Sequence, residues 1–171
     1  MIPIAATRLG SPLNCPYAAM PCAGIGAYGN LILGVSASNV SFVPGGRSLF
    51  RNKAIFNTAA AFTSYKAGNL LLGAGYAYTH ASEANGVTDS ATYNQLSLGE
   101  LYSVSARTRF YSVQAYQRAS GKILFAPSTS ATVPASPVIQ NAVASVGDGQ
   151  NSTPSSGPHQ FVFVVGIQHT F

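Results

Sequence analysis

The final stretch of this chain, His159-Gln-Phe-Val-Phe-Val-Val-Gly-Ile-Gln-His-Thr-Phe171, alternates in a way that few folds accommodate. Phe161, Phe163, Val165, Ile167 and Phe171 share one parity, whereas Gln160, Gly166, Gln168 and Thr170 share the other. A period of two puts these sets on opposite faces of an extended strand. One face is greasy along its whole length and carries aromatics near both ends, the pattern expected of a strand that meets lipid between two aromatic girdles.

The rest of the chain excludes an ordinary soluble domain and a helical membrane protein. Only 8% of its 171 residues are charged while 47% are hydrophobic, against roughly a quarter charged in ordinary soluble domains. No apolar run approaches the length of a membrane-spanning helix. What remains is a sheet protein whose apolar residues are interleaved with Gly, Ser, Thr, Ala and Tyr. The formal charge of +5 comes from nine bases and four acids. The bases are scattered along the chain rather than clustered with stacking aromatics, which argues against a nucleic-acid partner.

Residues 1–23 differ in character from the remainder of the chain. Four prolines break this leader, and it holds both cysteines, Cys15 and Cys22, which could pair in an oxidising compartment or stay as thiols. It lacks the basic start and continuous apolar stretch of a secretory signal. We read it as a leader or disordered segment, separate from a β unit over residues 24–171.

Within that unit, segments of about ten to thirteen residues with weak alternation are divided by turn-rich breaks. Strands are predicted over Asn30 to Val40, Ala54 to Tyr65, Leu70 to Ser82, Thr92 to Val104, Arg107 to Ala119 and His159 to Phe171, with a seventh over Ala23 to Ala27. Lys66 to Asn69 and Ser105-Ala106 read as tight turns. Ser41 to Lys53, Glu83 to Ala91 and Ser120 to Pro158 read as long loops. Short connections on one side and long ones on the other describe an antiparallel outer-membrane barrel, short turns in the periplasm and long loops outside. The 120–158 loop is long enough either to fold over a barrel mouth or to stay mobile.

Several short motifs then make a resemblance specific. Leu72-Gly-Ala-Gly-Tyr-Ala-Tyr-Thr79, Tyr93-Asn-Gln-Leu-Ser-Leu-Gly99, Tyr102-Ser-Val-Ser105, Arg107-Thr108, Phe110-Tyr111, Ala115-Tyr-Gln-Arg-Ala-Ser-Gly121 and Val165-Gly-Ile-Gln-His-Thr-Phe171 resemble the C-terminal part of the general porins of Gram-negative betaproteobacteria. The resemblance runs from about Asn52 to the last residue, and more weakly from Gly24. It implies an all-β chain forming about six or seven strands of a sixteen-stranded transmembrane barrel. It also implies residence in the outer membrane, a homotrimer, and passive diffusion of small hydrophilic solutes and ions without cofactor or catalysis. Val165, Ile167 and Phe171 resemble the terminal signal read by the barrel-assembly machinery. Two positions depart from the family. Gly99-Glu-Leu-Tyr102 stands where the family has an inward acid, so parity moves Glu100 outward beside Leu96, Leu98 and Tyr102. Ser105-Ala-Arg-Thr108 replaces a Ser-Lys-Arg-Thr turn.

Parity also assigns the site candidates. Leu70, Leu72, Tyr76, Tyr78, Phe161 and Phe163 are assigned to lipid. Arg118 and Gln114 group with Ser112 and Tyr116 on a polar side and are the pore-lining candidates, a guanidinium there favouring anions. Arg109, of opposite parity and close to a turn, reads as a snorkelling arginine. Gly24-Ile-Gly-Ala-Tyr-Gly29 satisfies a dinucleotide-binding pattern, yet a strand rather than a helix is expected after it. His80, His159 and His169 are too dispersed to share a metal, and the four acids allow no paired-carboxylate or triad grouping. A transport-inactive porin remnant, or a small complete barrel of adhesin or lipid-enzyme type, are the competing readings.

Overall fold

The computed structural model describes residues 22–44, 51–125, 137–146 and 155–171. Cys15 and most of the leader lie outside the described residues. Nine strands are present among the described residues: β1 (Cys22–Tyr28), β2 (Leu31–Phe42), β3 (Ala54–Ala67), β4 (Leu70–Ala81), β5 (Thr92–Ser103), β6 (Thr108–Ser120), β7 (Lys122–Phe125), β8 (Val138–Asn141) and β9 (His159–His169). Seven of them form one antiparallel up-and-down sheet in the order β1-β2-β3-β4-β5-β6-β9, and β7 and β8 pair as a separate hairpin. The chain is therefore all-β and antiparallel among its described residues.

Local chemistry explains the boundaries. β1 turns into β2 through Gly29-Asn30, and β3 into β4 through Gly68-Asn69. In both turns the glycine has φ +58°, the positive value that the first position of a tight hairpin turn requires and that Gly adopts without a Cβ clash. Asn30, expected as the first residue of a strand, belongs to the turn. Lys66 and Ala67, expected in the turn, extend β3. At the other end β9 stops at His169, and Phe171 lies beyond the ladder, its ring edge-on to His169 at 4.9 Å.

All three short connections lie at one end of the sheet, and all three long ones at the other. The long loops hold one another. Asn85, at φ 55°, and Gly86 turn a small hairpin between Ala84 and Val87. The Asn85 side chain accepts from the backbone amides of Arg51 (2.8 Å) and Asn52 (2.7 Å) and donates to the Asn52 carbonyl (2.9 Å). The β2–β3 loop is thereby tied to the β4–β5 loop. The 120–158 connection contains the β7–β8 hairpin, where the sequence pattern predicts only loop. From there it turns back over one side of the sheet. Ala142, Ala144 and Val146 are buried there, and Ala142 and Ala144 join Ala81, Ala91 and Ala119 in the small core of the described residues.

Candidate two-faced wall

Directly opposed residues of an antiparallel pair point to the same side, so the pairings sort the sheet into two faces. On one face, Tyr65, Leu72 and Glu100 are neighbours in register, as are Tyr76 with Leu96, Leu70 with Tyr102, and Ala74 with Leu98. The same face continues across β6 and β9 through the pairs Tyr102–Phe110–Ile167, Leu98–Gln114–Phe163 and Leu96–Tyr116–Phe161. Leu72, Tyr76, Tyr78, Leu96, Leu98, Phe161, Phe163, Val165 and Ile167 are all exposed on it, while Leu70 is half-buried. Its aromatics fall in two bands: Tyr28, Tyr65, Tyr102 and Phe110 towards the short turns, and Tyr76, Tyr78, Tyr116, Phe161 and Phe163 towards the long loops.

The opposite face mixes small and polar residues with aliphatic ones such as Ile32, Leu71, Leu101, Val113 and Val164. It carries Gly34, Gly73, Gly75, Gly99 and Gly166 with Ser97, Thr58, Thr79 and a row of three glutamines, Gln95, Gln117 and Gln160, aligned strand to strand. Two bulky rings on this side have a defined place. Phe62 lies over Gly34, and Tyr111 lies over Gly166, each directly across the ladder. A methyl group on either glycine would overlap the ring. An aromatic ring thus covers the backbone that the glycine leaves bare.

The glutamine row holds the returning loop. Gln117, only 9% exposed, accepts the Ser145 amide at 2.7 Å through Oε1 and donates from Nε2 to Gln95 Oε1 at 3.0 Å. Gln160 Oε1 accepts the Val146 amide at 2.6 Å. Backbone bonds from Ala142 to Gly121 and from Ala144 to Gly157 complete the anchorage. No sequence period marks this contact. Its only trace is the shared register of the three glutamines, and that register depends on the pairing of three strands. Beside the loop, a cavity of about 530 Å³ opens among Phe42, Phe56, Val87 and Ile123 at the long-loop end.

Sequence parity puts Gln114 and Arg118 on a polar side, away from Phe161 and Phe163. The register overturns that separation, because Gln114 stands opposite Phe163, and Arg118 opposite His159, on the aromatic face. The cause is one turn residue. A two-residue Ser105-Ala106 turn would set Val104 against Arg107. Instead the Val104 amide bonds to the Thr108 carbonyl at 3.0 Å, and Ser105 Oγ accepts the amides of Arg107 and Thr108. One additional residue in the turn moves every side chain of β6 to the other face. The same shift puts Arg109 on the small-residue face, with Lys66, both at the short-turn end.

Glu100 is on the aromatic face, as parity predicts. It accepts a hydrogen bond from Ser112 Oγ at 3.1 Å, and Gln114 Nε2 donates to the same hydroxyl at 3.1 Å. Each histidine finds a hydroxyl partner on this face: His80 with Thr92 (3.1 Å), His169 with Thr108 (3.0 Å) and His159 with Tyr116 (2.7 Å). His80 and His159 sit at the long-loop end and His169 at the other. Among the described residues no three His, Cys, Asp or Glu side chains gather into a possible metal site. The Gly24–Gly29 stretch runs along β1 into the hairpin turn and is followed by β2.

No protein-family model matches the chain, and no curated protein matches it.

Proposed function

We propose that this sheet is part of the wall of an outer-membrane β-barrel of porin type, its aromatic face towards lipid and its small-residue face towards a water-filled lumen. On this reading the chain contributes to passive diffusion of small hydrophilic solutes and ions and performs no chemistry. Its partners are outer-membrane lipid, the barrel-assembly machinery and, in the assembled state, further copies of the barrel. The observation that carries the reading is the combination of a two-banded aromatic face with a long-loop segment pinned by Gln117 and Gln160 to the opposite side. An inward-folded loop seated on polar wall residues such as the glutamine row narrows a channel without closing it. Arg109 and Lys66, rather than Arg118, are then the strand cations that border the lumen, at its short-turn mouth.

A second reading is that the chain by itself transports nothing. The directions of β1 and β9 favour it: as first and seventh strands of an up-and-down sheet they run parallel, and no pairing joins them among the described residues.

Single cysteines in a background with Cys15 and Cys22 replaced test the wall. After reconstitution, a label at Leu96→Cys should be quenched by brominated lipid and protected from a water-soluble thiol reagent. Ser97→Cys should react with that reagent and escape quenching. Equal behaviour of the two sites would overturn the two-faced wall.

A further inference from the structure

The long-loop end of the aromatic face carries a cation that the wall has no use for. Arg118 stands there, two residues before the end of β6, between Asn94 of β5 and His159 of β9 in register. Its side chain is exposed and makes no ion pair or hydrogen bond among the described residues. Glu100, the carboxylate on the same face, lies six positions down β5 from Asn94, about 20 Å away.

Around Arg118 is a shallow cavity of about 370 Å³, lined by Tyr76, Asn94, Leu96, Tyr116, Arg118 and Ser120. Its polar groups are held in place. Tyr76 donates to Asn94 Oδ1 at 2.6 Å. Tyr116 Oη bonds to His159 Nδ1 at 2.7 Å, and the rings of Tyr116 and His159 stack at 6.0 Å. Immediately below are Leu96, Phe161 and Phe163, all exposed and apolar.

From this arrangement we propose that Arg118 and the tyrosines beside it form a binding site for the phosphate headgroup of an anionic lipid, whose acyl chains lie along Leu96, Phe161 and Phe163. The inference rests on the aromatic face meeting lipid. A guanidinium offers paired N–H donors that match phosphate oxygens, and its aliphatic stem covers apolar surface while the charge reaches the interface. Phenol and amide groups at the same level supply further hydrogen bonds. The site is one-sided: among the described strand residues of this face, Arg118 is the sole Arg or Lys. Recognition is thus confined to the leaflet nearest the long loops.

The chain has nine tyrosines and no tryptophan, so tyrosine fluorescence quenched by brominated acyl chains reads lipid contact directly. The whole chain reconstituted in phosphatidylcholine vesicles should be quenched by brominated phosphatidylcholine. Absence of that quenching would sink the wall reading itself. Trace brominated phosphatidate should then quench well beyond its share of the lipid. Arg118→Ala should lower this preference about tenfold, the usual loss for one charged hydrogen-bonding partner. Arg118→Lys should keep part of it, and Arg107→Ala, which removes the same charge at the opposite end, should leave it unchanged. Circular dichroism of each variant confirms that the sheet is intact. Three results would each overturn the site: no preference for phosphatidate over phosphatidylcholine, an equal loss in Arg107→Ala, or displacement of the lipid by inorganic phosphate.

Discussion

Two kinds of single residue test the faces most directly. Glu100 is an acid among Leu72, Leu98 and Tyr102, relieved only by the Ser112 hydroxyl. If this face meets lipid, Glu100→Leu should raise the denaturant midpoint in detergent or lipid, by about 1 kcal/mol, since acids on a lipid-facing surface destabilise in proportion to depth. A fall in the midpoint would assign the face to water. The second test uses the covered glycines. Gly34→Ala and Gly166→Ala push a methyl group into the Phe62 and Tyr111 rings, so each should cost about 1 kcal/mol or more in equilibrium unfolding. Gly99→Ala meets open space on the same face and should be neutral or slightly stabilising, because alanine loses less backbone entropy than glycine. Equal effects at all three positions would mean that the rings do not rest on those glycines.

At the scale of elements, the consequential contact is between the 142–146 segment and the glutamine row. Gln117→Leu keeps the bulk of the side chain but removes the acceptor of the Ser145 amide, leaving a half-buried N–H without that bond. Hydrogen exchange at Ser145 and Val146 should accelerate about tenfold, in line with the net worth of such a bond. Gln114→Leu, on the other face, should leave those amides as they are. Unchanged exchange in Gln117→Leu would mean that the Gln160–Val146 bond and the backbone bonds of Ala142 and Ala144 suffice to hold the segment. Only half of this element is legible in the sequence. The length and low charge of 120–158 point to a loop able to cover a mouth, but the β7–β8 hairpin and the inward return depend on partners far away in the chain, so no local pattern announces them.

For the whole molecule, closure is a matter of direction. The seven sheet strands of the described residues, in up-and-down order, leave β1 and β9 parallel, so they close into an antiparallel barrel only when an odd number of strands is added. Two copies turned about a barrel axis would bring β9 of one against β1 of the other in parallel. If the sheet spans a membrane, its two unclosed edges present rows of N–H and C=O groups to hydrocarbon, each group costing several kcal/mol. Even a closed ring of seven would be narrower than the eight-stranded barrels whose interiors side chains just fill. The purified chain alone should therefore show no stepwise conductance in planar bilayers. Reproducible steps from a preparation that mass spectrometry finds free of other polypeptides would show a seam these strand directions do not provide.

The sequence by itself determined where the seven strands of the main sheet run, how side chains alternate along each, and which of their connections are short. Those properties are local: a strand's period comes from its own backbone, and a Gly-Asn pair between apolar runs turns the chain wherever it occurs. Strand ends moved by a residue or two without altering the order of the sheet. Which alternating set of one strand joins which set of the next was decided only in three dimensions, because it depends on the count of turn residues and on the ladder they set. The single residue between a two-residue turn and the observed one after Val104 carried Gln114 and Arg118 from one face to the other. The seating of 142–146 on Gln117 and Gln160, and of Phe62 and Tyr111 over their glycines, required strands already in register, since each contact joins residues that only the completed ladder brings together.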